Sequence, residues 1–142
     1  MNPTDAPLFL IAGGGDYPGL VIEGARRAGV SRIVMAAFEG ETKPENVPLV
    51  DAVEWMRVGQ MGRLLDAAKK SGAARALMAG QLAPGNLFDL RPDFKALLIL
   101  AKLKRRNAET LFGAVADELA KAGLELLSAT TFASSSATAP KS

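Results

Sequence analysis

"LFLIAGGGDYPGLVIEGARRAGVSRIVMAAF", residues 8–38, decides the fold. Leu8 to Ala12 is a short, unbroken apolar run of the kind a strand buried on both faces shows, and Gly13 stops it. From Tyr17 to Ala28 the apolar positions Leu20, Val21, Gly24, Ala25 and Ala28 recur at helical spacing. Glu23, Arg26 and Arg27 take the other face, and Gly29 follows as a C-cap. Ile33 to Phe38 is the second apolar run. Strand, glycine loop, helix and strand in this order open a parallel unit.

The rest of the chain repeats the alternation. Glu39 to Pro48, with two prolines and scattered charges, is expected as a surface connection. Val53 to Val58 follows as a strand around Trp55, and Gln60 to Lys70 as a helix with Met61, Leu64, Leu65 and Ala68 inward, closed by Gly72. Ala76 to Ala79 is a fourth apolar run. After "GQLAPGNLFDLRPD" a helix is expected over Arg91 to Arg106, with Pro92 in its first turn and Lys102, Lys104, Arg105 and Arg106 crowding its end. Thr110 to Ala122 is another, with Leu111, Phe112, Val115 and Leu119 on one stripe and an Asp117–Lys121 pair outside. Leu124 to Leu127 completes a set of about five strands. The prediction is an α/β fold, a Rossmann-like three-layer unit with a mostly parallel sheet, over residues 1–132. Residues 133–142, from the low-complexity end "ASSSATAPKS", are expected as a disordered tail.

Composition narrows the chemistry. The 142 residues suit one domain, and 49% hydrophobic content supplies a core. The chain has no cysteine and no histidine, which excludes disulfides, thiolate or imidazole zinc sites and every Ser-His or Cys-His nucleophile pair. Acid–base work would fall to carboxylates. A formal charge of +2 with both signs interspersed falls short of a nucleic-acid footprint, so no nucleic-acid partner is expected. No apolar stretch approaches the roughly 20 residues that span a bilayer, and Met1 to Pro7 lacks a signal-peptide n-region. A cytoplasmic location is expected.

Ligands of parallel sheets bind beyond the carboxyl ends of the strands, where the glycines of this chain sit. Gly13, Gly14 and Gly15 expose donors before a helix, yet the dinucleotide fingerprint is broken because Pro18 stands where its third glycine belongs. The alternative is a turn that needs only positive φ. Asp16 reads either as a ligand to a sugar hydroxyl or metal, or as an N-cap. Gln60 and Gln81, after Gly59 and Gly80, are neutral donors for a base or sugar, or solvated loop amides. In "NLFDLRPD", Asp89 and Asp93 either support a binding loop or make an N-cap and an ion pair with Arg91. The basic run Lys102, Lys104, Arg105 and Arg106 complements a helix dipole, with contact to anionic lipid head groups at the inner membrane as its second reading.

"LIAGGGDYP", "RVGQMGRLL", "MAGQ" and above all "LFDLRPDFKALLILAKLKRR" together resemble the N-terminal domain of the bacterial UDP-2,3-diacylglucosamine pyrophosphatases, from about Leu8 to Phe132. The resemblance implies an enzyme of lipid A biosynthesis that hydrolyses UDP-2,3-diacylglucosamine to 2,3-diacylglucosamine 1-phosphate and UMP. It implies magnesium or another divalent metal, held outside this chain, and a catalytic aspartate in a C-terminal half that these residues do not include. The chain alone is then expected to be inactive, with a catalytic partner chain as one way to complete it. Where the family has a lysine and Arg-Pro after "MAG", this sequence has Gln81, Leu82, Ala83 and Pro84, and its two acids before the last long helix are replaced by Asn107, Ala108 and Glu109. The expected substrate-side wall is Gly13, Gly14, Gly15, Asp16, Gln60, Gly80 and Gln81, with Asp89 and Asp93 supporting the neighbouring loop. A stand-alone nucleotide- or sugar-binding module and a partner-docking domain are the other functions these residues allow.

Overall fold

In the computed structural model, which describes residues 6–80, 92–105, 107–128 and 130–133, one parallel sheet organises the chain. Its strands are β1 (Leu8–Ala12), β2 (Ile33–Phe38), β3 (Ala52–Met56), β4 (Arg75–Ala79) and β5 (Glu125–Leu127), in the order β3-β2-β1-β4-β5. Every pairing is parallel; β1 lies between β2 and β4, with Leu8 opposite both Ile33 and Arg75. All residues of β1 and β2 are buried, as their unbroken apolar runs require of central strands.

Alternate side chains feed two cores. Leu8, Leu10, Met35 and Leu77 face one side, where Val21, Ile22 and Ala25 of α1 (Tyr17–Arg27) cover them. Phe9, Ile11, Val34 and Ala36 face the other, covered by α2 (Met61–Ser71) and by Leu119 of α4 (Ala108–Lys121). The short α5 (Thr130–Ala133) packs on α1 so closely that a Cβ on Gly24 would lie 2.3 Å from the Phe132 carbonyl oxygen. The helix α3 (Phe94–Lys102) lies over the second core beside α2.

Several expectations need correction. The helix expected over Arg91 to Arg106 is shorter: Asp93 is extended (φ −78°, ψ 179°) and caps it, so Pro92 precedes the helix, and Leu103 turns extended (ψ 129°) after Lys102. Asn107 and Thr110 then form a reciprocal capping box that starts α4 anew, and the Thr110 hydroxyl donates to Arg105 O at 2.8 Å. The strand expected to reach Val58 stops at Met56, ahead of the turn at Gly59 (φ 104°). Lys121 pairs with Glu118 at 3.3 Å rather than with Asp117. Leu20 of α1 and Leu111 and Phe112 of α4, read as inward, are exposed. The connection after β2 contains a 3₁₀ turn, Pro44–Leu49. Arg91, Arg106 and most of the expected tail lie outside the described residues.

At the amino ends of the strands, Arg26 ties the layers together. Its guanidinium donates to Ser31 O (3.0 Å), Leu49 O (2.9 Å) and the Asp51 carboxylate (3.0 Å), while Ile33 N–H donates to the same Asp51 oxygen at 2.8 Å. The Ile33 N–H first, and Arg26 after it, hold Asp51 below its ordinary 3.8; Lys95 and then Lys121 hold Glu118 below its ordinary 4.5. Groups depressed in the folded state contribute fully above their unfolded values and lose that contribution as pH falls through the lower folded ones. The urea midpoint is therefore expected to drop below about pH 4.5, with a shallower drop for Asp51→Asn. An identical acid limb in that variant would contradict the assignment.

Candidate functional site

The order β3-β2-β1-β4-β5 reverses direction between β1 and β4: α1 leaves β1 over one face, and the chain after β4 goes to helices on the other. That divergence opens a crevice at the carboxyl ends of the two strands, the usual ligand position in such sheets. Gly13 to Asp16 form one wall and Gly80 the other. Gly13 N–H donates to Ala79 O at 2.7 Å, which locks the two strand ends together. The contact is close enough that a Cβ on Gly80 would sit 2.5 Å from Gly14 O and 3.0 Å from the Pro18 ring. Gly15 (φ 82°) and Gly80 (φ 91°) both need the conformational freedom of glycine.

Pro18 stands in the first turn of α1, as expected, but the side chain of Asp16 does not cap the helix. It pairs instead with Lys43, which reaches it from the connection after β2; that ion pair lowers the Asp16 pKa and raises that of Lys43. The backbone N–H groups of Gly15 and Asp16 donate to no acceptor among the described residues. Gly13 is buried, Gly14 half-buried, and Gly15 and Asp16 exposed, so the rim is open to solvent on the Gly15–Asp16 side. Lys43 is a residue that sequence reasoning missed. Nothing local to it signals the contact, because its partner is 27 positions away.

Gln60 lies at the next strand end. Its carbonyl oxygen accepts from Arg57 N–H at 2.7 Å, so that half of its amide shapes the turn, and its nitrogen makes no hydrogen bond among the described residues. Asp93 has a bridging role: Oδ1 accepts from Ala96 N–H at 2.9 Å and Oδ2 from Gly62 N–H at 2.8 Å, fastening the start of α3 to the start of α2. Its own N–H donates to Gly59 O. Asp93, half-buried, is thus engaged with backbone at both carboxylate oxygens. Gln81 and Asp89 lie outside the described residues.

Beside the glycine rim is a cavity of about 450 Å³ that the sequence did not disclose. Phe38, Val58, Met61, Leu64, Met78, Ile99, Phe112 and Val115 line it, with Gly59 and Gln60 at its polar edge. Ile11 and Met78, two residues before Gly13 and Gly80, form its floor, so the donor-rich crevice and the apolar cavity share the ends of β1 and β4. Met78, half-buried in β4, is a strand residue that opens onto it.

The described residues offer no ready site for a divalent cation. Lys43 engages Asp16, both Asp93 oxygens accept from backbone, and among the described residues no three His, Cys, Asp or Glu side chains converge. Nor is any helix among them long and apolar enough to cross a membrane.

Residues 7–136 match the family model described as LpxI N-terminal domain. No curated protein matches the chain.

Proposed function

Since the chain belongs to the LpxI N-terminal domain family, we propose that it is the substrate-side domain of a UDP-2,3-diacylglucosamine hydrolase of lipid A biosynthesis. The observation that carries this reading is the adjacency of the donor-rich glycine rim and the 450 Å³ apolar cavity at one end of the sheet. A nucleotide-sugar with fatty acyl chains has both of these chemistries in one molecule. In this role the N–H groups of Gly15 and Asp16 face the anionic or sugar part of the substrate, beside the ion pair of Lys43 with Asp16. The Gln60 amide nitrogen meets a neutral acceptor, and the lining around Met61, Met78 and Phe112 takes up an alkyl chain. Asp93 positions the starts of α2 and α3 and touches no substrate.

A titration of the isotopically labelled chain separates the two halves of the site. UDP is expected to shift the amides of Gly14, Gly15, Asp16 and Gly80 with millimolar affinity, equivalent to about 4 kcal/mol. Decanoate below its micellar concentration is expected to shift the methyl groups of Met61 and Met78 instead. Gly14→Val should abolish the UDP shifts and leave the decanoate shifts in place. If UDP moves no amide between Gly13 and Asp16, the rim is a structural turn and the reading fails.

A further inference from the structure

Apart from Lys95 and Lys102 the helix α3, "FKALLILAK", is apolar, yet none of its residues is fully buried. Ala96, Ile99 and Leu100 turn toward the cavity; Phe94, Leu97 and Leu98 turn away from the protein and are 74%, 51% and 45% exposed. A helix of this composition is normally covered all round. At its last residue and directly beyond it stand Lys102, Lys104 and Arg105, all exposed, and none makes an ion pair among the described residues. No acidic residue occurs from Phe94 to Arg105. The remaining cation of α3, Lys95, is held at 3.1 Å by Glu118 on the inner side. Half-exposed Asp93 caps the start of the helix, and exposed Asp117 of α4 lines the same groove as Lys102.

We infer that α3 and the basic segment after it dock on an anionic phospholipid bilayer, with Phe94, Leu97 and Leu98 entering the head-group boundary. The charge pattern selects this occupant. An apolar face followed by cations, on a segment that carries no acid of its own, matches a surface that is hydrocarbon within and negative at its rim. The alkyl stems of the lysines can lie along the apolar face while their ammonium groups stay at the phosphate level.

Sedimentation of the full 142-residue chain with vesicles tests the inference. Binding is expected to vesicles of equal parts phosphatidylglycerol and phosphatidylcholine, and to be far weaker with phosphatidylcholine alone. Each basic residue near such a surface contributes about fivefold, so Lys102→Gln, Lys104→Gln and Arg105→Gln together should weaken binding about 100-fold. Leu97→Glu with Leu98→Glu should abolish it while circular dichroism stays native, because both side chains are already exposed. If the leucine variant unfolds, the charge variant decides alone. Absence of binding to the anionic vesicles overturns the inference, as does equal binding by the charge variant. So does a dimer that dissociates on Leu97→Glu and never sediments with lipid, since the face would then belong to a second copy.

Discussion

Gly80→Ala is expected to destabilise the chain by about 3 kcal/mol and to abolish the UDP-dependent shifts at the glycine rim. Two costs combine. A side chain at φ 91° occupies a backbone region that L residues rarely adopt, at about 1–2 kcal/mol. The new Cβ would also lie 2.5 Å from Gly14 O and 2.9 Å from the Gly13 carbonyl carbon, which are backbone atoms with no rotamer to escape into. Overpacking of this kind costs about 1–3 kcal/mol. Relief requires the ends of β1 and β4 to part, which stretches the Gly13 to Ala79 hydrogen bond and opens the crevice. Gly15→Ala is the control: φ is similarly positive at 82°, but nothing lies within 4 Å of its Cβ. It should show the first cost alone, measured by urea denaturation. Equal losses for the two variants would mean that the close approach of the two loops is unimportant.

Thr42→Val is expected to cost about 3 kcal/mol although it barely changes the volume of the side chain. Thr42 is buried; its hydroxyl accepts from Phe38 N–H at 2.7 Å and donates to Ala12 O at 2.6 Å. One oxygen thus closes the carboxyl ends of β1 and β2. Valine leaves both backbone groups buried without that partner, at about 1–3 kcal/mol for each group left unpaired. Thr42→Ser should recover most of the loss in the same denaturation experiment, because the hydroxyl returns without the methyl. If serine is as destabilised as valine, packing of the methyl group is the cause.

Thr42 also shows where sequence reading stopped. The run from Leu8 to Phe38 was legible because central strands of a parallel sheet are apolar at every position and the helix between them has one polar face. The stretch after Phe38 reads as surface by its prolines and charges, yet it sends Thr42 into the core and Lys43 to Asp16. Both are long-range contacts, and local pattern carries no information about them. Asp16 has the position of an N-cap without its hydrogen bond, since Lys43 competes for the carboxylate. In α3 the difficulty is different: its polar residues, Lys95 and Lys102, share one side and leave the other apolar positions undistinguished, so the outward turn of Phe94 and Leu97 could not be read. The glycine rim was placed by the rule for strand ends. The cavity next to it was not, because its lining is assembled from β1, β2, β4 and three helices.

The position of β1 at the middle of the sheet has a kinetic consequence. Its partner β2 follows after one helix, so that pairing closes a short loop; its other partner, β4, arrives only after β2, the 3₁₀ turn, β3 and α2 have been made. Closing the longer loop costs more chain entropy, and pairings distant in sequence slow folding. The order of events that follows is β1-α1-β2 first and β4 later, with the inner edge of β1 open in between. Leu8 to Ala12 is an apolar strand that another copy of itself could pair with during that interval, so the yield of refolding should fall as protein concentration rises, while the folded chain, with that edge covered by β4, stays in solution.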